Sequence, residues 1–173
     1  MLRSLRVTLL GAALTAVLLP SAVAAQGPMR VWVGGGLGAA GPLSSDTSRG
    51  SEGLGVGVGQ LVFQRGAHYV AVRALGAVDL LYGSGDSYGE LDALYGRAYA
   101  ARYVHLALAT GVAYTSVPCG GVRNCDALGL PVLAELAVRP LPILGIGVQG
   151  FLNVNQHRSY GGLVGMAQLG WMP

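Results

Sequence analysis

From residue 28 to the end of the chain, segments that alternate apolar with small or polar residues are joined by connections that are by turns long and short. The long ones, 39–51, 83–90, 116–126 and 154–159, are rich in Gly, Ser, Asp and Asn, whereas Arg65-Gly66, Arg102-Tyr103 and Arg139-Pro140-Leu141-Pro142 are short. A residue period of two is the period of a β-strand, in which successive side chains point to opposite faces. Eight segments fit it, near 29–38, 52–64, 67–82, 91–101, 104–115, 127–138, 143–153 and 160–172. Each reaches the roughly 9–11 residues with which a tilted strand crosses a bilayer. The layout predicts an all-β fold, an eight-stranded antiparallel up-and-down barrel with both chain ends on the short-turn side.

The period does not say which face is outside, because a soluble lipocalin-like barrel has the same alternation turned inside out. Composition decides in favour of a transmembrane barrel. Charged residues make up 11% of the chain, hydrophobic ones 52%, and mean hydropathy is +0.51; ordinary soluble domains carry about 25% charge. The polar face is mostly Gly and Ala with a few charges, too few for a solvated exterior. Residues 1–25 read as a signal peptide, with Arg3 and Arg6 before an apolar stretch from Val7 to Leu19 and small residues up to Ala25. Cleavage after Ala24 or Ala25 leaves residues 26–173 as one barrel domain, exported by the Sec route to a bacterial outer membrane. All eleven basic residues are Arg, and they form no stripe with interleaved aromatics, so no nucleic-acid partner is expected.

The polar face gives the candidate interior. Arg73, Asp79, Arg97, His105, Glu135 and Gln149 all fall on it in the expected register, with Tyr95 and Tyr99 on the Arg97 side. Charges so enclosed must pair and hydrogen-bond. Eight strands leave room only for side chains, so a filled lumen is expected, with Arg97 and Glu135 as one of its pairs. Other tyrosines, among them Tyr69, Tyr88 and Tyr160, lie near strand ends where amphipathic rings favour the headgroup level. Gly53, Gly55, Gly57 and Gly59 recur at alternate positions of one strand, as close packing and coiling require. Cys119 and Cys125, the only two cysteines, flank five residues of the third long connection, and in an exported chain they read as a disulfide closing a small loop.

Little else in the chain suggests chemistry. The runs around Gly34-Gly35-Gly36 and Gly53 to Gly59 lack the Lys-Ser/Thr and following helix of a phosphate loop, and the cysteine loop lacks a nearby His for a metal. No cofactor, metal or catalytic residue is expected.

From Tyr95-Gly96-Arg97 and Gly111-Val112-Ala113-Tyr114, through Gly129-Leu130-Pro131-Val132, Gly145-Ile146-Gly147 and Asn153-Val154-Asn155, to Gly170-Trp171, the chain resembles the small outer-membrane β-barrel proteins of the broad OmpA/OmpX-like class. The resemblance covers essentially all of residues 28–173 and implies insertion by the barrel-assembly machinery. One departure stands out: such barrels usually end in an aromatic residue, whereas Trp171 is followed by Met172 and Pro173. His157-Arg158-Ser159 resembles part of the site of PagL-type lipid A deacylases. That match stops at Tyr160-Gly161, and no Asp or Glu follows Glu135 to complete it.

The function expected is therefore non-enzymatic: a monomeric structural or surface-interaction barrel whose long loops meet lipopolysaccharide, outer-membrane lipid or a protein. Arg49, Arg123 and Arg158 lie in three of those loops and are the candidate contacts for anionic groups. The alternatives are a small-solute channel, a lipid-modifying enzyme and a soluble secreted barrel.

Overall fold

The computed structural model describes residues 27–43, 54–78, 87–118, 124–156 and 159–171. The signal segment, Asp79, Arg49, Cys119, Arg123, His157 and Arg158 lie outside them. Eight strands follow in order: β1 (Met29–Pro42), β2 (Leu54–Arg65), β3 (His68–Val78), β4 (Ser87–Ala100), β5 (Val104–Pro118), β6 (Asn124–Leu141), β7 (Leu144–Asn155) and β8 (Tyr160–Trp171). Each pairs antiparallel with the next, and β8 returns to β1, closing the barrel.

Closure fixes the barrel's dimensions. Passing across the strands from Val31 through Phe63, Val70, Tyr95, Thr110, Val132, Leu152 and Gly161 leads back to β1 at Gly41, ten residues further along. With rises of ~3.3 Å and strand spacings of ~4.8 Å, that stagger gives a tilt of about 40°. The backbone radius is then about 8 Å, too narrow for anything but interlocking side chains.

Five of the strands, β1, β4, β5, β6 and β7, run further at the loop end than the alternation predicts. Residues 39–42, 87–90, 116–118 and 124–126, expected in loops, continue the ladders, since a backbone that goes on pairing satisfies its N–H and C=O groups whatever its side chains. At the other end β2 and β3 meet in the two-residue turn Gly66-Ala67, where Gly66 takes φ 58°, a conformation that a Cβ would oppose. Ladder irregularity between Val138 and Leu141 carries β6 into its turn.

Two apolar layers fill the lumen. On the loop side are Leu54, Val56, Val58, Leu75, Tyr88, Phe151, Tyr160, Val164 and Met166; on the turn side are Trp32, Val62, Tyr69, Ala71, Leu94 and Leu133 with Ala98, Ala107 and Ala109. Tyr69, Tyr88 and Tyr160, expected at the headgroup level, are instead among these interior rings, because their strand parity points them inward. The glycines also divide differently from expectation. Gly55, Gly57 and Gly59 share the parity opposite to the buried Leu54, Val56 and Val58 and face outward. A Cβ on Gly59 would meet nothing within 4 Å, whereas one on Gly38 of β1 would sit 2.0 Å from the Leu163 carbonyl oxygen. Close packing is therefore the task of other glycines, Gly36 and Gly38 of β1 against the β8 backbone and Gly96, Gly111, Gly147 and Gly162 elsewhere, where a neighbouring backbone leaves no room for a side chain.

Candidate functional site

Between the apolar layers lies a band of polar side chains. Gln60 sits between Val58 and Val62 on β2, and Arg73 between Ala71 and Leu75 on β3. Arg73, Asp92, His105, Glu135, Gln149, Asn153 and Gln168 are each 2% exposed or less.

The band has two centres. In the first, the Arg73 guanidinium bridges two carboxylates of β4: Nε donates to Asp92 Oδ2 at 2.6 Å and Nη2 to Glu90 Oε1 at 2.6 Å. The other oxygen of Glu90 accepts from the Tyr88 hydroxyl and, at 2.6 Å, from Asn153 Nδ2 across the lumen. The guanidinium carbon also lies 5.1 Å from the Phe151 ring centroid, a cation–π distance. Antiparallel register produces the group: Arg73 is directly opposite Asp92, and Glu90, two residues on, shares its face.

The second centre is Glu135 of β6. Its Oε2 accepts from Gln60 Nε2 at 2.8 Å and Gln149 Nε2 at 3.2 Å; its Oε1 accepts from Gln168 Nε2 at 2.8 Å and lies 3.3 Å from His105 Nδ1. Gln149 also donates to Gln60 Oε1 at 2.8 Å. His105 turns its other nitrogen to Gln64 Oε1 at 3.2 Å and lies edge-on to Trp32 with 5.4 Å between centroids. Groups from four other strands thus converge on one carboxylate, which ties the sheet together across the lumen.

The structure brings together Arg73, His105, Glu135 and Gln149 in this buried band but not Arg97. On β4 the buried residues are Tyr88, Glu90, Asp92, Leu94, Gly96 and Ala98, so Arg97 shares the outer face with Leu91, Ala93, Tyr95 and Tyr99. The expected Arg97–Glu135 pair is replaced by the Gln60, Gln149, Gln168 and His105 contacts. The reason is local: Arg97 is three residues from the end of its strand, where a charge can face outward into a polar boundary. Tyr99 likewise points out, 69% exposed. Beside Arg97, Tyr95 Oη is 2.7 Å from His68 Nδ1 on the same outer face. Sequence reasoning missed Gln60, Gln64, Glu90, Asp92, Asn153 and Gln168 as network members. The alternate spacing of Tyr88, Glu90 and Asp92, and of Gln60 and Gln64, was the available signal.

The outer face is the converse of the lumen. Leu37, Leu61, Val70, Val72, Leu91, Leu106, Leu108, Val112, Leu130, Leu136, Val148, Leu163 and Leu169 are exposed. Among the described strand residues, the outward-facing charges are Arg65, Arg97 and Asp126, all near strand ends. From Val104 to Tyr114 on β5 no outward residue is charged; at a tilt of about 40° those ten steps rise about 25 Å.

A buried polar band inside and an uncharged apolar girdle outside define a small closed β-barrel. Solved structures with this fold are Neisserial surface protein A, at 14% identity and TM-score 0.58, covering 82% of this chain and 96% of that one, and the attachment invasion locus protein Ail of Yersinia pestis, at 11%, 0.59, 82% and 96%. The N-terminal β-barrel domain of Pseudomonas aeruginosa OprF matches at 10% identity and TM-score 0.56, with 80% and 97% covered. All are eight-stranded outer-membrane β-barrels, and at these identities the likeness is one of fold. No family model and no curated protein sequence matches the chain.

Proposed function

We propose that this chain is a non-enzymatic barrel of a bacterial outer membrane, anchored by its girdle and closed through its lumen, whose loop side makes surface contacts. The observation that carries this reading is the reversal of polarity: charge is gathered inside and paired, while the exposed strand faces are apolar, an order that is stable in lipid and costly in water. Support comes also from the fold neighbours, which are bacterial outer-membrane proteins. One of them, Ail, has a structure in complex with the heparin analogue sucrose octasulfate.

In this reading Arg49, Arg123 and Arg158 present guanidinium groups from three loops to the phosphates of lipopolysaccharide or to another polyanion. Cys125 stands at the start of β6, and a Cys119–Cys125 disulfide would hold the loop that carries Arg123. Export by the Sec route, removal of residues 1–25 and insertion by the assembly machinery complete the proposal.

The test is binding of the folded mature barrel to immobilised lipopolysaccharide, beside ion conductance across a planar bilayer. The reading expects salt-sensitive binding that falls at least about tenfold when Arg49, Arg123 and Arg158 are all changed to Ser, and no steady conductance. It also expects thiol labelling only after reduction. Unchanged binding by the triple variant would reject the loop assignment, steady conductance would reject the closed lumen, and two thiols that label without reductant would reject the disulfide.

A further inference from the structure

The short-turn mouth of the barrel contains cationic groups that the interior network does not use. Arg30 of β1 has the inward parity of Trp32 and lies opposite Gln64. Arg139 of β6 is 93% buried by its 7% exposure, donates Nη2 to the Ala101 carbonyl at 2.7 Å, and keeps a buried Nε with no hydrogen-bond partner among the described residues. Its acceptor Ala101 adjoins Ala100, which shares the cavity wall with Arg30, so both guanidinium groups belong to this mouth. Among the described residues Arg30 makes no side-chain hydrogen bond or ion pair. The described acids, Glu90, Asp92, Asp126 and Glu135, lie deeper in the lumen or toward the loops, and residues 1–26 contain neither Asp nor Glu.

A cavity of about 380 Å³ opens at this mouth, lined by Arg30, Gln64, Ala98, Tyr99 and the backbone of Gly27-Pro28 and Gly66-Ala67. Gln64 is already committed, to the Gly66 carbonyl and His105, which leaves Arg30 as the cation of the cavity wall. Like charges gathered at one edge of a low-dielectric interior are costly unless an anion neutralises them. A guanidinium fork matches a phosphate or carboxylate with two parallel N–H bonds.

We propose that the turn-side mouth is a binding site for one phosphate-type oxyanion, with Arg30 as the contacting ligand and Arg139 as the second charge that holds it. The same chemistry is offered by free phosphate and by the headgroup of an anionic phospholipid, and the assay must separate them. The mature barrel, folded in zwitterionic micelles, is titrated with inorganic phosphate at constant ionic strength while the arginine Nε–H resonances are followed. A second preparation is compared in nanodiscs of phosphatidylcholine with and without phosphatidylglycerol.

Saturable shifts of the Arg30 and Arg139 resonances are expected. The apparent affinity should fall about tenfold or more in Arg30→Gln, a variant at the rim that leaves the interior network intact, as an unfolding midpoint without phosphate no lower than that of the parent should show. Saturation by inorganic phosphate in micelles assigns the site to a soluble phosphate; a response confined to phosphatidylglycerol assigns it to a headgroup. No saturable response in either setting, or an equal response in Arg30→Gln, overturns the proposal. Because the micelle arm needs no bilayer, it can fail while the outer-membrane reading stands.

Discussion

Arg73→Leu should be the most damaging single substitution in the interior. It removes the one cation among the described residues that pairs with Glu90 and Asp92 and leaves both carboxylates in a lumen that admits no solvent to their side chains. Breaking a buried pair by deleting one partner costs roughly 3–5 kcal/mol, because the remaining charge is uncompensated; here two charges remain, and the Phe151 contact goes as well. Urea unfolding of the barrel in vesicles, read by tryptophan fluorescence, should show that loss or a complete failure to fold. Adding Glu90→Gln and Asp92→Asn to Arg73→Leu should recover about half of it, since neutral amides require hydrogen bonds but no counter-charge. A loss below about 1 kcal/mol for the single variant would mean that water reaches this band.

Glu135→Ala should come next. The carboxylate is the common acceptor for Gln60, Gln149 and Gln168 and the neighbour of His105. Its removal strands donors on four other strands, at about 1–3 kcal/mol for each left unsatisfied. A loss of at least about 3 kcal/mol is expected, with Glu135→Gln retaining roughly half through its one carbonyl oxygen. The two conservative variants separate charge from hydrogen bonding: the Arg73 centre depends on charge balance, whereas the Glu135 centre depends on the number of donors that one acceptor gathers. Equal losses for Glu135→Ala and Glu135→Gln, measured in the same unfolding assay, would contradict that division.

The number of strands, their order and the sense of the barrel were legible because they rest on local patterns. On β5, Leu106, Leu108 and Val112 alternate with His105, Ala107 and Ala109, and no long-range information is needed to see it. The pairing inside the lumen was not legible. Gln60 and Glu135 are 75 residues apart and Gln60 and Gln149 are 89 apart; which of them meet depends on the stagger accumulated around the barrel, which a single strand does not record. Arg97 shows a different limit. Polarity suggested the lumen, but the parity of Asp92, Leu94, Gly96 and Ala98 places it outside, because near a strand end the rule that charges face inward loses its energetic basis. Glu90 was missed for a related reason: Gly, Ser and Asp marked 83–90 as a loop, while the backbone ladder of β4 begins at Ser87.

The central claim, that the apolar girdle faces lipid while the lumen is sealed, is tested most directly by the chain's own two tryptophans. Trp32 is 1% exposed and lies inside against His105, whereas Trp171 is 79% exposed on the outer face at the turn end. Trp32→Phe and Trp171→Phe variants leave one reporter each, and both can be folded into vesicles whose lipids carry bromine near the headgroup end of the acyl chain. Strong bromine quenching of Trp171, with little quenching of Trp32 by brominated lipid or by aqueous acrylamide, is the predicted result. Strong acrylamide quenching of Trp32, or a Trp171 that brominated lipid does not reach, would contradict the account.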